Sequence, residues 1–211
     1  MNLGLKGKIA LITGSSQGIG KAIATSLHQE GCNVMLNGRD NSKLENLIKK
    51  FGKRAKFFVA DVINPDSCKE LVDEVINEWG RLDILVCNVG GGIPITQNED
   101  NLEIWEDALN KNLYSTINMV EASTKELTKS RGSIVCISSI AGMGVLGASI
   151  QYSTAKAALN TYVRNISRTL AKYGIRINVV APGNILFKGS IWERKLSENR
   201  SSVYNLSLIH I

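Results

Sequence analysis

The sequence predicts an α/β fold, in which one doubly wound parallel sheet carries helices on both faces. The first observation behind this prediction is an alternation along the chain. Short apolar runs without a helical period are followed, again and again, by amphipathic stretches with one apolar face. The second observation is the length of 211 residues, which is sufficient for one large domain with a sizeable core. No linker or low-complexity segment interrupts the pattern, so we expect a single domain.

Each predicted element follows from a local pattern. Residues 9–12 form an apolar run suited to a strand that is buried on both faces, and residues 21–30 suit an amphipathic helix. Asp40 is a suitable N-cap for the second helix, and Pro65 suits the first turn of the third. The predicted strands are residues 9–12, 33–37, 55–60, 82–87, 132–137 and 175–180. The predicted helices are residues 21–30, 40–51, 65–79, 102–130, with a break expected near 110–112, and 151–173.

A glycine-rich loop joins the first strand to the first helix, in the order Thr13-Gly14-x3-Gly18-Ile19-Gly20. In a dinucleotide site, Gly14 would permit the tight turn and Gly18 would let the backbone approach a pyrophosphate. Gly20 would let the helix, whose N-terminus attracts phosphate, pack close to the sheet. The spacing departs from the common Gly-x-Gly-x2-Gly pattern, so an ordinary strand–helix turn is the alternative to a cofactor site.

Composition argues against several classes of function. The chain has a formal net charge of +6, but its basic residues are scattered. The one dense spot, residues 49–54, suits a solvated helix end better than a nucleic-acid patch. His28 and His210 are far apart, so we expect no metal site and no Ser–His–Asp triad. A positive surface does suit an anionic cofactor or an acidic carrier protein.

Nothing in the sequence indicates a membrane or secreted protein. The apolar runs are of strand length, well short of the roughly 18 residues of a membrane span. We expect no signal peptide, because the N-terminal residues contain no apolar signal segment. The four cysteines, Cys32, Cys68, Cys87 and Cys136, form no Cys-x2-Cys pair. We therefore expect a cytoplasmic protein with reduced thiols, without membrane or nucleic-acid partners.

Tyr152 and Lys156 stand four residues apart on a predicted helix and so share one face. A phenol with a pKa near ~10 is a weak acid–base catalyst at neutral pH, but a neighbouring ammonium favours the phenolate and would lower that pKa. The pair could then pass a proton to a carbonyl oxygen. It follows a strand that ends at Ser139, on the same sheet edge as the glycine loop. Taken alone, a Tyr-x3-Lys pair is more often a helix-surface contact.

Together these motifs resemble the short-chain dehydrogenase/reductase family. The matching features, between about residues 5 and 187, are Thr13-Gly14-x3-Gly18-Ile19-Gly20, Asp61, Asn88-x-Gly90, Asn112, Ser139, Tyr152-x3-Lys156 and Pro182-Gly183. Residues 134–139 and 151–156 look most like the 3-oxoacyl-carrier-protein reductase branch. The resemblance implies a Rossmann fold and an NADP(H)-dependent oxidoreductase. Such an enzyme transfers a hydride between nicotinamide and a carbonyl or secondary alcohol, here a small-molecule or carrier-bound substrate like a 3-oxoacyl thioester.

The resemblance also implies a role for each site residue. Tyr152 would donate the proton, Ser139 would orient the carbonyl oxygen, and Lys156 would also bind the nicotinamide ribose. Asn112 would hold a water that links Lys156 to solvent. The family's spacing from serine to tyrosine favours Ser139 over Ser138, which is expected to pack or cap. The residues implied to bind the cofactor are Thr13, Gly14, Ser15, Ser16, Gln17, Gly18, Ile19, Gly20, Arg39, Asp61, Val62, Asn88, Gly90, Tyr152, Lys156, Pro182 and Gly183.

The end of the second strand predicts the choice of cofactor. NAD sites often place a carboxylate there, where it accepts from the ribose 2′-hydroxyl. Here Gly38 takes that place and Arg39 follows, and a guanidinium binds a 2′-phosphate in a fork geometry. Asp40 is the competing acid, but it fits better as an N-cap. Gln17 stands where the family's loop usually has a basic residue, so Arg39 would carry most of a preference for NADP(H) over NAD(H).

Two features depart from the family pattern. Cys87 replaces a polar residue before Asn88, so any hydrogen bond made there is expected to be lost or weakened. The chain also ends soon after Pro182-Gly183, where the family continues with a helix and a seventh strand. We therefore expect residues 1–205 to be an incomplete domain. Residues 206–211 are expected to be a non-native tail or, in the alternative, a genuine short strand at a sheet edge.

This incompleteness has consequences for the whole molecule. The outer edge of the strand at residues 175–180 would stay unpaired, and such an edge invites aggregation, so we expect poor solubility. A full-length form is expected to be a homo-oligomer, a tetramer or a dimer. The alternative for a chain of this length is a non-catalytic nucleotide-binding module or a truncated, inactive enzyme. Residues 93–101 and 184–200 are expected to line the substrate pocket.

Overall fold

The structure is a computed structural model, and it describes residues 2–92, 101–198, 200 and 208–210. The strands are β1 (Ile9–Ile12), β2 (Asn33–Gly38), β3 (Ala55–Val59), β4 (Ile84–Cys87), β5 (Ser133–Ile137), β6 (Arg176–Val180), β7 (Asn184–Leu186) and β8 (Leu208–His210). The helices are α1 (Gly18–Gln29), α2 (Asn41–Ile48), α3 (Pro65–Trp79), α4 (Leu102–Leu109), α5 (Ser115–Ser130), α6 (Ile150–Ala171) and α7 (Ile191–Glu198). A π-helical turn, Asn110–Tyr114, joins α4 to α5, and a 3-10 turn, Ile140–Gly142, follows β5.

Six strands form one parallel sheet in the order β3-β2-β1-β4-β5-β6. Ala10 of β1 lies beside Val34 of β2 on one side and Ile84 of β4 on the other. The strand order reverses between β1 and β4, so the loops that follow these two strands open a crevice at the carboxyl edge of the sheet. The predicted α/β fold with a doubly wound parallel sheet is confirmed.

The hydrophobic core lies on both faces of this sheet. Side chains alternate along each strand, so Leu11 contributes to the core layer beneath α3, α5 and α6, and Ile12 to the layer beneath α1 and α2. All four residues of β1 are buried, which explains why its sequence is an uninterrupted apolar run. The packed layers hold the carboxyl ends of the strands in fixed relative positions.

The predicted start of α2 is confirmed, whereas α1 begins earlier than predicted and α2 ends at Ile48, three residues before its predicted end. The Lys43 amide donates to Asp40 Oδ1 at 3.1 Å, which confirms Asp40 as the N-cap of α2. Helix α1 begins at Gly18, three residues before the predicted start, so the last glycines of the loop are themselves helical. The break expected near residues 110–112 is the π-helical turn, a feature that often marks a functional site.

A separate two-stranded parallel ladder lies outside the main sheet. Asn184 of β7 is opposite Leu208 of β8, and Leu186 is opposite His210. Residues 208–210 thus form a short strand whose partner is β7. Whether residues 206–211 are native stays a prediction. Within the described part of the chain, β6 pairs with β5 alone. No helix in the described ranges has both the length and the hydropathy for crossing a bilayer.

Candidate active site

A cleft of ≈ 670 Å³ lies at the carboxyl edge of the sheet, over the crevice between β1 and β4. The glycine loop and the ends of β2 and β4 form one wall, and the residues after β5 and β6 face them. The cleft therefore collects most of the predicted site. The predicted residues that line it are Gly14, Ser16, Gln17, Gly18, Ile19, Arg39, Asp61, Val62, Asn88, Gly90, Ser139, Tyr152, Lys156, Pro182 and Gly183.

The glycine loop is shaped by contacts that leave no room for side chains. Gly14 and Gly18 have φ of +59° and +55°, a backbone conformation that residues other than glycine rarely adopt. A Cβ on Gly20 would lie 2.5 Å from the Gly14 carbonyl oxygen. The Asn88 side chain clamps the loop to the end of β4, since its Nδ2 donates to the carbonyls of Thr13 at 3.1 Å and Gly14 at 3.0 Å. Loop, helix start and β4 are thus locked together.

Two predicted cofactor residues lie behind the loop instead of in the cleft. Thr13 is buried, and its Oγ1 accepts from the Asn88 amide at 2.9 Å. Ser15 is also buried, and its Oγ accepts from the Asn37 amide at 2.9 Å. Their side chains hold the loop in position. Gly20 also does not line the cleft, and its lack of a side chain lets α1 pack closely against the Gly14 carbonyl.

Asn37, at the end of β2, was not singled out by the sequence argument. Its Oδ1 accepts from the Gly14 amide at 3.4 Å, and its Nδ2 donates to the carbonyl of Ala60 at 3.1 Å. It therefore ties the glycine loop to the end of β3. The available signal was a lone amide near the end of the apolar strand β2, where a buried polar group needs partners.

The end of the cleft beside β2 carries one exposed ion pair. Arg39 Nη1 lies 3.5 Å from Asp61 Oδ2, with 68% of the Arg39 side chain and 42% of the Asp61 side chain exposed. Asp40 is occupied as the N-cap of α2, and Gly38 contributes no charge. Arg39 is thus the basic group at this wall, and its partner Asp61 belongs to the same cleft.

Ser139, Tyr152 and Lys156 meet at the end of β5. Ser139 begins the 3-10 turn, and its Oγ accepts from the Ala141 amide at 3.1 Å. Tyr152 and Lys156 project from the first two turns of α6, and Lys156 Nζ lies 5.9 Å from the centre of the Tyr152 ring. Lys156 is buried and donates to the Ile137 carbonyl at 2.9 Å. The three polar groups share one wall of the cleft.

The two titrating groups of this wall are both shifted by burial. Burial raises the pKa of Tyr152, and a hydrogen bond with Ser139 works in the opposite direction. Burial lowers the pKa of Lys156 to about 8, with Cys136 nearby acting to raise it. The sequence argument expects the ammonium to lower the phenol pKa, and this expectation is wrong for the protein as described here. The ammonium faces the Tyr152 ring and the Ile137 carbonyl, while desolvation dominates at the hydroxyl.

Asn112 sits in the π-helical turn, fully buried, directly behind the cleft. Its Nδ2 donates to the carbonyls of Ala108 at 3.1 Å and Gly91 at 3.2 Å, and its Oδ1 accepts from the Gly91 amide at 3.0 Å. A Cβ on Gly90 would lie 2.8 Å from Asn112 Oδ1 and 2.9 Å from Lys156 Nζ. Only a glycine at position 90 lets these two polar groups approach one space from both sides.

The structure also separates the two neighbouring serines. Ser138 is buried, and its Oγ donates to the Lys156 carbonyl at 3.4 Å, so it packs β5 against α6. Ser139 is half-buried and faces the cleft beside Tyr152. This arrangement agrees with the choice of Ser139. Cys87 lies opposite Cys136 in adjacent strands, and their thiols are hydrogen-bonded, so the position keeps a polar contact inside the core.

The wall facing the glycine loop comes from the segment after β6. Ile185, Phe187, Ser190 and Trp192 line the cleft, as expected for residues 184–200. Asp107 and Lys111 also reach it, as a pair 2.6 Å apart. No local pattern in the sequence distinguishes these side chains individually. Most of the other expected pocket segment, residues 93–100, lies outside the described residues.

These features fit a nicotinamide dinucleotide. The backbone around Gly20 leaves no room for a side chain. No side chain caps the N-terminus of α1, so the backbone N–H groups of this helix end can donate to an anion. Arg39 and Asp61 lie farther along the same wall. The described residues contain no group of three or more His, Cys, Asp or Glu arranged to hold a metal ion.

A family model described as short chain dehydrogenase matches residues 8–195. The chain belongs to the short-chain dehydrogenase family. It is 34% identical over 206 residues to a cyclohexanol dehydrogenase of Rhodococcus sp. strain TK6, covering 87% of this chain and 76% of the relative. It is 33% identical over 183 residues to an uncharacterized oxidoreductase of Staphylococcus aureus, covering 86% of this chain and 79% of the relative.

A solved structure agrees with this assignment. A short-chain dehydrogenase/reductase of unknown function from Caenorhabditis elegans, crystallised with cofactor, superposes with a TM-score of 0.81 at 34% identity. The match covers 86% of this chain and 71% of that one. This chain is therefore an oxidoreductase of the family acting with a nicotinamide cofactor on a CH–OH group. None of the relatives named here is described as a 3-oxoacyl-carrier-protein reductase, the narrower branch that the sequence resembles.

Proposed function

We propose that this protein is an NADP(H)-dependent oxidoreductase that interconverts a carbonyl and a secondary alcohol. One observation carries the proposal: Ser139, Tyr152 and Lys156 share a wall of the same cleft that the glycine loop lines. When bound, the nicotinamide would supply or accept the hydride at the substrate carbon. The residues of this chain would handle the substrate oxygen and its proton.

The proton chemistry is assigned to Tyr152, whose raised pKa keeps the phenol protonated and ready to donate to a carbonyl oxygen in the reductive direction. Ser139, hydrogen-bonded to Tyr152, would hold the same oxygen. Lys156, with a pKa of about 8, can exchange protons near neutral pH, and Asn112 approaches the same space across Gly90. A water in that space would complete the path from Lys156 to solvent.

The preference for NADP(H) is assigned to Arg39. A 2′-phosphate beside Gly38 would meet a guanidinium, whereas a carboxylate at that place would repel it. We expect wild-type kcat/KM to be higher with NADPH than with NADH, and Arg39→Asp to reverse the order. The matched control is Arg54→Asp, since Arg54 lies at the opposite end of the sheet, bonded to the His28 and Cys32 carbonyls. A wild-type preference for NADH would refute the assignment.

The substrate is proposed to have an apolar body. The loop that joins Ser139 to α6, residues 140–149, contains no charged residue. Its Met143, Val145 and Leu146 are exposed, on the loop that begins directly after Ser139. Such a surface suits an alicyclic or alkyl ketone, and it also suits the acyl part of a 3-oxoacyl thioester, free or carrier-bound. Apart from the buried Ser149, the loop has no polar side chain to offer to the hydroxyls of a sugar.

A substrate screen tests this proposal. Initial rates with NADPH would be compared for cyclohexanone, a 3-oxoacyl thioester of N-acetylcysteamine, the same acyl group on a carrier protein, and a keto sugar. We expect kcat/KM to be lowest for the sugar. A higher value for the carrier-bound than for the free thioester would identify the carrier as a partner. A preference for the sugar would refute the apolar assignment.

We also propose a cytoplasmic, homo-oligomeric protein. All four cysteines are free and buried, which suits a reducing compartment. Sedimentation velocity of the purified protein would give the oligomeric state, and a monodisperse monomer would count against it. Thermal unfolding with and without NADPH addresses the alternative of a chain that no longer binds nucleotide, because a ligand bound only by the native state must raise its stability.

A further inference from the structure

An aromatic side chain bridges the cleft at the glycine loop. Phe187 follows β7, and its ring lies against Gly18, the first residue of α1. A Cβ on Gly18 would lie 2.6 Å from Phe187 Cζ, 2.8 Å from Cε2 and 3.1 Å from Cε1. The ring edge is thus in van der Waals contact with the Gly18 backbone. Among the described residues, the segment after β6 thus contacts the glycine loop at Gly18, and both Gly18 and Phe187 line the cleft.

The position of Phe187 is held by a built turn. Its amide donates to Ser190 Oγ at 3.3 Å, and the Ser190 amide donates back to the Phe187 carbonyl at 2.9 Å. The Ser190 hydroxyl also accepts from the Glu193 amide at 3.1 Å, and Glu193 Oε2 accepts from the Gly189 amide at 2.6 Å. The ring is therefore part of a structured link between β7 and α7.

A phosphate bound at the glycine loop and the Phe187 ring would compete for the same space beside the Gly18 backbone. The N–H groups at the start of α1 attract anions only when they are open to the ligand. The Phe187 ring fills the space that a side chain on Gly18 would take, and a dinucleotide-binding loop leaves this space open for the pyrophosphate. A dinucleotide phosphate cannot settle on Gly18 while the Phe187 ring remains there.

We infer that Phe187 is a gate for the nicotinamide cofactor: its ring lies over Gly18 and must move aside before the cofactor binds. The inference rests on the family's nicotinamide cofactor and is independent of the proposed preference for NADP(H). A protein that must first open has an apparent affinity reduced by the fraction of open molecules. Half-burial of a phenyl ring is worth about tenfold in that equilibrium.

The test measures cofactor binding in the full chain, without turnover. NADPH binding to the wild type, Phe187→Ala and Phe187→Leu would be followed by stopped-flow fluorescence. Leu186→Ala is the matched control, because Leu186 is the neighbouring residue on β7 and is likewise half-buried. Circular dichroism would establish that each variant is folded.

For Phe187→Ala we expect a Kd about tenfold lower, arising from faster association with an unchanged dissociation rate. Phe187→Leu should fall between the wild type and Phe187→Ala, and Leu186→Ala should leave the Kd unchanged. An unchanged Kd for Phe187→Ala would overturn the gate. So would weaker binding with faster dissociation, which would show that the ring stabilises the bound cofactor. Failure of the wild type and of every variant to bind NADPH and NADH would refute the gate and the cofactor site together.

Discussion

Replacing Lys156 by methionine should change how the stability of the free protein depends on pH. Lys156 is only 3% exposed, and burial lowers its pKa from the ordinary 10.5 to about 8. Between pH 8 and 10.5 the unfolded chain therefore binds more protons than the folded one, and the free energy of unfolding rises with pH. A difference of about 2.5 in pKa corresponds to about 3 kcal/mol across this interval.

Lys156→Met keeps an unbranched side chain only one atom shorter and removes the titrating group. The Ile137 carbonyl loses its donor, which costs about 1–3 kcal/mol at every pH and shifts the whole curve by a constant. The quantity to compare is therefore the difference in unfolding free energy between wild type and variant as a function of pH. We expect the wild type to gain about 3 kcal/mol relative to the variant between pH 8 and 10.5.

Urea unfolding at half-unit steps from pH 7 to 11, followed by far-ultraviolet circular dichroism, gives this difference. Because both proteins retain Tyr152, the titration of this neighbour largely cancels in the comparison. Lys125→Met removes an exposed ammonium from α5 and serves as the control, with no comparable pH dependence expected. A flat difference between wild type and Lys156→Met would show that the ammonium is well solvated, and the argument from burial would fail.

Two further variants test the chemistry and the loop. Tyr152→Phe keeps the ring and removes the proton donor, so kcat should fall at least ~100-fold while the NADPH Kd changes little, and near-normal turnover would remove Tyr152 from the proton path. Gly20→Ala would place a Cβ 2.5 Å from the Gly14 carbonyl oxygen, so we expect a loss of about 1–3 kcal/mol in unfolding free energy and weaker cofactor binding. Gly91→Ala is the control, because a Cβ at that position meets nothing within 4 Å. Equal losses of stability in the two variants would contradict the tight packing at Gly20.

The sheet could be predicted from the sequence because its causes are local. A strand buried on both faces must be apolar throughout, and β1 and β4 show this directly. A helix that packs one face on a sheet must repeat its apolar residues with the helical period, as α3 does with Leu71, Val72 and Val75. Once strands and helices alternate, the handedness of the connections leaves few arrangements, and the strands' carboxyl ends must share one edge. The positions of Ser139 and Tyr152 near that edge follow from this.

Electrostatics at the site could not be predicted in the same way. The spacing of Tyr152 and Lys156 predicts correctly that they are close, and Nζ lies 5.9 Å from the ring centre. It does not predict the direction of the phenol pKa, because that direction depends on how much water reaches each group. Burial is set by β5, the 3-10 turn and the segment after β6, which come together around the site only in the folded chain. A pKa is a property of the assembled site.

Phe187 illustrates the same limit from the side of packing. Gly18 is recognisable in the sequence as a glycine that a phosphate might need, and nothing near it indicates that an aromatic ring from residue 187 will lie on it. The contact exists because Pro182, whose carbonyl accepts from the Ile140 amide at 3.1 Å, directs the chain after β6 back across the cleft. Gly18 has no side chain, so its backbone is open to contact by another group. In this structure that group is the Phe187 ring. The gate proposed for Phe187 would make the affinity for cofactor depend on this contact as well as on the phosphate site.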